Sequence, residues 1–478
     1  ENQPAAVCES EIEAPRRVPL LALFGGAALW LVAGLALGIV AGMSFHKPDM
    51  FADCPYFSFG RAQAAANDLL LYGFAIPAAL GVLLWVFSRL SQTPLALPLV
   101  PVVAANLWHL GVFIGTAAIL LGESTGYTGL EYPRAAAVLL FTAFMLIAVT
   151  ATATFGFRRN RDLFPAHWFL FAALLVFPWI YSTANLFLVC NHPPRGVVQA
   201  IIGWWFANNL LFVWLALAGV GTAFYFLPKI SGKPLGGYGY ALFGFLTLIL
   251  FGTWAGIPQS APVPAWLPTL SSVAASLSLV PLVAIMIVVF KATFGVNVSG
   301  QGPTFNFIKF GMARFESPAL VYICQCCQQY NRVLEFTWFG FAQIQLQLLG
   351  FAGMILLGAI YYILPRVMGT SLPFPKFAGF HFILSVVGVL MLVLPLFIGG
   401  MNQGQMLLDP QVPFATVSVA LLKFIRISST GQLILLIGAA LLALNIFVMT
   451  LKWKLGLVKA LLTAIKAPLE TIDATEVK

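Results

Sequence analysis

Apolar positions in this chain fall in long unbroken stretches, not in strand-like alternation and not as one stripe of an amphipathic helix. Twelve such stretches occupy residues 19–43, 66–88, 97–121, 135–157, 166–188, 200–227, 239–257, 268–293, 304–324, 338–363, 379–400 and 429–452. About 20 apolar residues carry a helix across the hydrocarbon core, so the pattern predicts an all-α polytopic membrane protein with about twelve transmembrane helices. A membrane β-barrel would show segments of about ten residues alternating in polarity, and these runs are longer and uninterrupted. The twelve helices form one membrane domain, 19–452, between an N-terminal tail, 1–18, and a C-terminal tail, 453–478. The first run follows a polar stretch and has no small-residue cleavage site, which reads as a retained helix and not a signal peptide. In the C-terminal tail, LGLVKALLTAIKAPLE at 455–470 spaces Lys459 and Lys466 with apolar residues, the pattern of an amphipathic helix on the membrane face.

Composition sharpens this picture. Of 478 residues, 60% are apolar or aromatic and only 9% are charged, against about 25% charged in soluble domains. The formal charge of +9 does not describe a nucleic-acid groove, because the cations sit singly or in small groups at the ends of apolar runs. Arg16, Arg17, Arg89, Arg158, Arg159, Arg161, Lys229, Lys233, Lys291, Arg366, Lys376, Lys452 and Lys454 all fall on one side of the predicted topology. The other loops hold fewer cations and several acids, among them Asp49, Asp53, Glu123 and Glu131. By the positive-inside rule both termini are expected in the cytoplasm of a bacterial inner membrane.

Cysteine usage is compatible with an oxidising outer compartment. Cys54 and Cys190 fall in outside loops, as does the group Cys324, Cys326 and Cys327 at the end of the ninth run. A Cys54–Cys190 disulfide is one arrangement, a pair involving Cys326 or Cys327 another, and burial as small apolar residues a third. No phosphate-binding loop, dinucleotide fingerprint or serine elbow occurs in a suitable context. The intramembrane polar groups are few and therefore informative. Gln343, Gln345 and Gln347 put two glutamines on one helix face and Gln345 roughly opposite, suited to packing and hydrogen bonding between helices. Asp68 is placed in the first turn of the second helix, where a carboxylate favours the positive helix end. His109 is the one histidine near mid-membrane and is read as a partner in an interhelical hydrogen bond.

Several segments in order resemble subunit I of the haem-copper oxygen reductase superfamily, closest to its C-family (cytochrome cbb type) and nitric oxide reductase relatives. They are WWFANNLL at 204–211, AFYFLPKISGKPL at 223–235, GTWAGIPQ at 252–259, FTWFGFAQIQLQLLG at 336–350, GAIYYILPRVMG at 358–369 and HFILSVVG at 381–388. FGRAQAAAND at 59–68 and PAHWFLF at 165–171 fit the same template more loosely. The resemblance implies two haems and a third metal held by histidines from helices 2, 6 and 10 and from the stretch after helix 7. Carried over one by one, those positions fall at Ala65, Asn208, Pro258, Gln259, Gln343 and Gln345. None is a histidine, and only five histidines exist in the whole chain. The family's helix 7 tyrosine falls at Gly252. Glu131 with Tyr132 resembles the outside loop where these relatives hold calcium between haem propionates, so Glu131 is a calcium candidate whose haem partners would be missing.

The expectation is a haem-free, metal-free, non-catalytic scaffold or docking subunit of a bacterial respiratory complex. Haem would reside in its partners, other membrane and cytochrome subunits, with lipid around it and no nucleic acid. Two alternatives stand beside it: an active oxygen or nitric oxide reductase subunit with replaced ligands, and a channel or carrier built in the vacated cavities.

Overall fold

A computed structural model describes residues 14–189, 193–296, 302–325 and 328–473, excepting the side chains of 316–328 and 464–473. Among the described residues the regular structure is all helical. In chain order the helices of 15 residues or more are α1 (Arg17–His46), α2 (Phe59–Ser91), α3 (Val100–Leu121), α4 (Arg134–Gly156), α5 (Pro165–Val189), α6 (Val197–Ser231), α7 (Tyr238–Gly252), α8 (Trp266–Thr293), α9 (Gly302–Gln325), α10 (Trp338–Met368), α11 (Pro375–Leu407) and α12 (Phe414–Asp473), with a short helix at Gln328–Leu334 between α9 and α10. Ten of them are long and apolar enough to cross a membrane, α7 and α9 standing outside that set. The run at 239–257 overstates α7, because its apolar residues continue past the helix end into a turn with Gly256 at φ +108°. Its 15 residues span about 22 Å, short of a ~30 Å hydrocarbon core.

The bundle has an inside and an outside. In α2, α6 and α10, 100%, 89% and 89% of the most apolar window is buried, against 39–50% in the other spans. These three are therefore the central helices, and the rest present one face to lipid. Outer helices approach closely through small residues. Where α11 crosses α12, a Cβ on Gly431 would lie 2.5 Å from the Leu392 nitrogen, and one on Gly388 would lie 3.0 Å from the Gly431 carbonyl oxygen.

One end of the bundle collects cations on aromatic rings. The Arg16 and Arg89 guanidinium carbons lie 6.0 and 5.6 Å from the Trp85 ring centre, Arg366 lies 3.4 Å from that of Tyr362, and Arg17 Nε donates to the Val367 carbonyl. Cations from α1, α2 and α10 thus share an end, as their loop positions predict.

Three boundaries differ from the sequence pattern. α2 begins at Phe59, seven residues before its apolar run, because the Ala-rich stretch FGRAQAAAND is itself a good helix former. His46 is the last residue of α1, not a loop residue, and bonds to Ser429 Oγ of α12 at 2.9 Å. α12 continues unbroken through residue 473, so the 455–470 stretch extends a spanning helix.

Four of these helices contain a wider π-type turn: Leu69–Ala75 in α2, Asn185–Val189 in α5, Asn209–Trp214 in α6 and Leu346–Gly353 in α10. Such turns accommodate an extra residue and concentrate at functional sites. In the three central helices they follow directly on the positions singled out from sequence.

Candidate functional site

The central helices bury Ala65, Asn208, Gln343, Gln345 and Gln347. Burial of primary amides requires partners, and the structure supplies them from neighbouring helices. Asn208 Nδ2 donates to the Gly252 carbonyl at 2.9 Å, and Asn209 Nδ2 donates to the carbonyls of Trp205 at 2.9 Å and Thr253 at 3.2 Å. Two asparagines thereby tie α6 to the end of α7. Gly256 presses on the same spot, where a Cβ would meet Asn208 Cβ at 2.3 Å. Gln345 Nε2 donates to Asn67 Oδ1 at 3.3 Å, and Gln63 Nε2 reaches the same oxygen at 3.0 Å. Gln347, which starts the wide turn with Leu346, faces Asn208 across a cavity of about 70 Å³.

Pro258 and Gln259 lie apart from this set. They line a second cavity of about 400 Å³ with Trp204, Asn331, Glu335 and Thr337, and Gln259 donates to Ser272 Oγ. Replacing Asn208 with Ala should lower stability by about 1 kcal/mol, by removing the hydrogen bond that ties α6 to the Gly252 carbonyl. Gln345→Met should be close to neutral, since it removes a long hydrogen bond together with Oε1, a buried acceptor without a donor. Thermal unfolding in detergent reads both, and the reverse order of the two effects would contradict these assignments.

The four described histidines are elsewhere and engaged. Trp30 Nε1 donates to His109 Nδ1 at 3.1 Å, and His109 Nε2 lies 3.1 Å from the Ala22 carbonyl, so this residue makes the expected interhelical bond. His167 Nδ1 accepts the Phe164 backbone N–H at the start of α5, and His381 pairs with Tyr361 Oη at 2.9 Å. His192 and Cys190 lie outside the described residues, as do the side chains of Cys324, Cys326 and Cys327, so the Cys54–Cys190 pair falls outside them too.

A second constellation is one the sequence pattern misplaces. Asp68 is the tenth residue of α2, not part of its first turn, and is 1% exposed. Its carboxyl group faces that of Glu131. Glu131 reaches it because the α3–α4 loop folds inward. Gly122 ends α3 at φ +105°, Thr125 N donates to the Glu131 carbonyl at 3.2 Å, and Thr125 Oγ1 donates to the Leu130 carbonyl at 2.6 Å. Arg61 Nη1 braces the same region through the carbonyls of Pro55 and Leu120.

Tyrosines enclose the pair. Tyr72 Oη donates to the Gly129 carbonyl at 2.6 Å, Tyr132 Oη lies 3.1 Å from Thr116 Oγ1, and the Tyr72 ring packs on those of Tyr132 and Tyr181. Among the described residues no N–H or hydroxyl reaches either Asp68 oxygen or Glu131 Oε2. Two facing carboxyl groups can share a hydrogen bond only when one of them is protonated and donates. Burial pushes the Glu131 carboxyl above its ordinary range, offset in part by Asp68 and by the backbone at Glu131, Gly129 and Leu130. Among the described residues no group of three or more His, Cys, Asp or Glu side chains is arranged to hold a metal ion.

A bundle whose three central helices each carry one or more of these positions is the architecture of an oxidase subunit I, and comparison with known proteins agrees. The family described as cytochrome c and quinol oxidase polypeptide I matches residues 18–434, and the chain belongs to that family. The cbb3-type cytochrome c oxidase subunit CcoN1 of Stutzerimonas stutzeri is 23% identical over 437 residues, covering 88% of this chain and 90% of that protein. A cytochrome c oxidase subunit 1 homolog of Agrobacterium tumefaciens is 25% identical over 448 residues, covering 87% and 80%. In fold, the chain is similar to a haem-copper terminal oxidase dimer solved by cryo-EM, with a TM-score of 0.73 at 14% identity over 91% of this chain and 84% of that one.

Proposed function

We propose that this chain is a haem-free, non-catalytic member of its family, a scaffold or docking subunit in a multi-subunit respiratory complex of a bacterial inner membrane. Its cation-rich end faces the cytoplasm, and the redox carriers reside in partner subunits. One observation carries the reading. Where relatives are expected to hold iron and copper, this chain offers a methyl group at Ala65, a pyrrolidine at Pro258 and amides at Asn208, Gln259, Gln343 and Gln345. Amide oxygens are poor ligands for haem iron and do not replace imidazole at copper. The amide nitrogens of Asn208 and Gln345 are also committed to Gly252 and Asn67. Of the five histidines, the four described ones are engaged, His46, His109 and His381 with residues of other helices and His167 with the Phe164 backbone N–H at the start of its own helix. The donor set does not fit two axially held haems and a third metal.

What such a chain retains is shape. A closed helical core preserves the outer surface on which oxidase partners assemble, and function on a shared fold resides in sites, not in the fold itself. The test is to purify the native complex, identify its subunits by mass spectrometry and measure haem per copy of this chain after separation. Co-purifying cytochrome subunits with no b-type haem on this chain are expected. Two b-type haems in stoichiometric amount would overturn the proposal.

A further inference from the structure

The cavity of about 400 Å³ that takes in Pro258 and Gln259 carries two features that the packing of the core does not account for. Both lie in the connection from the Gln328–Leu334 helix to α10, at the end of the bundle opposite the arginine-bearing one.

The first is the Glu335 carboxylate, which lines the cavity. Ser260 Oγ donates to its Oε1, and Asn331 Nδ2 donates to its Oε2 at 2.7 Å, so the group is held from both sides. A carboxylate accepts about four hydrogen bonds, and each oxygen therefore keeps a free lone pair. Among the described residues Glu335 has no ion pair. The Lys and Arg side chains outside that set, Lys466 and Lys478, belong to the C-terminal tail.

The second is Phe336. Its φ of +59° is a left-handed backbone that a residue with a bulky side chain adopts only at a free-energy cost. At 85% exposed it is also the barest large apolar side chain among the described residues. Its neighbours hold it there. Glu335 is anchored as above, and Thr337 caps α10, its Oγ1 donating to the Leu334 carbonyl and accepting the Phe339 backbone N–H. A rigid turn thus presents an uncovered ring, and strain of this kind is kept where a site uses it.

Lipid does not reach this place. α6 and α10, which bring Trp204 and Gly340 to the cavity, are central helices, so the cavity lies over the middle of the bundle's end and faces water. A small cation would satisfy Glu335 and leave Phe336 bare, and a small apolar molecule would do the reverse. We infer that Glu335 and Phe336 form a docking point for a partner protein, which places a lysine or arginine side chain against the Glu335 carboxylate and covers the Phe336 ring with an apolar pocket. A fixed charge beside a rigid aromatic anchor suits the centre of an interface, and the uncompensated carboxylate sets the sign of the partner's charge. The inference rests on the docking role proposed above, and not on the absence of haem from this chain.

The test uses the complex purified through a tag on this chain. With p-benzoylphenylalanine in place of Phe336, illumination of native membranes should join the chain to one co-purifying subunit, at a peptide of that subunit bearing Lys or Arg. Glu335→Gln keeps the shape and removes the charge, and retention of that subunit should fall about tenfold and lose part of its salt dependence. Phe336→Gly should also weaken retention about tenfold. The separated glycine variant should nevertheless melt no lower than the wild type, because glycine adopts a positive φ freely; a merely structural role would lower both. Phe157→Ala, 71% exposed at the arginine-bearing end, should change neither. Equal retention in Glu335→Gln, Phe336→Gly and the wild type would overturn the inference, as would a photoproduct with lipid alone. A chain that purifies without partners would overturn this inference and the docking role together, whereas haem found on this chain would overturn only the haem-free reading.

Discussion

The wild-type protein should lose thermal stability as the pH rises above the ordinary Glu value of 4.5 and through the raised titration of Glu131, and Glu131→Gln should abolish most of that loss. The Asp68–Glu131 pair is buried among Tyr72, Tyr132 and Tyr181, with no cationic side chain bonded to either carboxyl group among the described residues. Burial raises the Glu131 carboxyl above its reference value of 4.5 in the folded protein. Between the unfolded and the folded value, the folded state holds more protons than the unfolded one. The unfolding free energy therefore falls with rising pH across that window and is largest below it. Forcing a second buried charge onto the pair costs about 3 kcal/mol. Glutamine keeps the shape and supplies the N–H donor that Asp68 lacks, so the variant should melt higher than the wild type at pH 8 and show a flatter profile. The same shift is expected for Asp68→Asn. A wild type whose stability rises with pH, together with a destabilised glutamine variant, would show instead that both carboxylates are ionised and bridged by a bound cation.

A second large effect is expected at the α11–α12 crossing. Gly431→Leu should lower stability by about 3 kcal/mol or more, at the upper end of overpacking costs. The obstacle here is backbone, not the flexible end of a side chain: the Leu392 nitrogen at 2.5 Å and the Gly388 carbonyl oxygen at 2.8 Å from the new Cβ. Neither helix can yield without parting from the other. Gly456→Leu, on the same helix with nothing within 4 Å of its Cβ, is the control and should be neutral. Both are read by retention of monodisperse protein on heating in detergent. Equal behaviour of the two variants would mean that the crossing is looser than described.

Hydropathy makes the membrane class of this chain and the approximate place of each helix legible, because backbone groups in lipid are satisfied within helices and apolar runs mark them directly. It does not tell which helices are central, since lipid and protein interior are equally apolar and a helix such as α2 reads the same in either. The positions Ala65, Asn208, Gln343 and Gln345, singled out through motif spacing, all prove buried in the three central helices. Hydropathy misplaces Asp68 because it rises only at residue 66, whereas alanines carry α2 back to Phe59. Its pairing with Glu131 has no local signature: the two residues belong to different elements and meet only through a folded loop. The wide turns have none either, as nothing in LLLYGFA or NLLFVW distinguishes them from ordinary helix.

Each wide turn inserts one residue, and a single residue swings everything downstream by about 100° around the axis. In α10 the insertion comes after Gln345, so side chains on either side of it cannot be assigned to faces by counting in steps of 3.6. Removing one residue from Leu346–Gly353 would keep the helix and rotate Met354–Met368 against its neighbours, moving Tyr361 off His381. The geometry of this core is thus encoded as much in how many residues separate two contacts as in which residues make them.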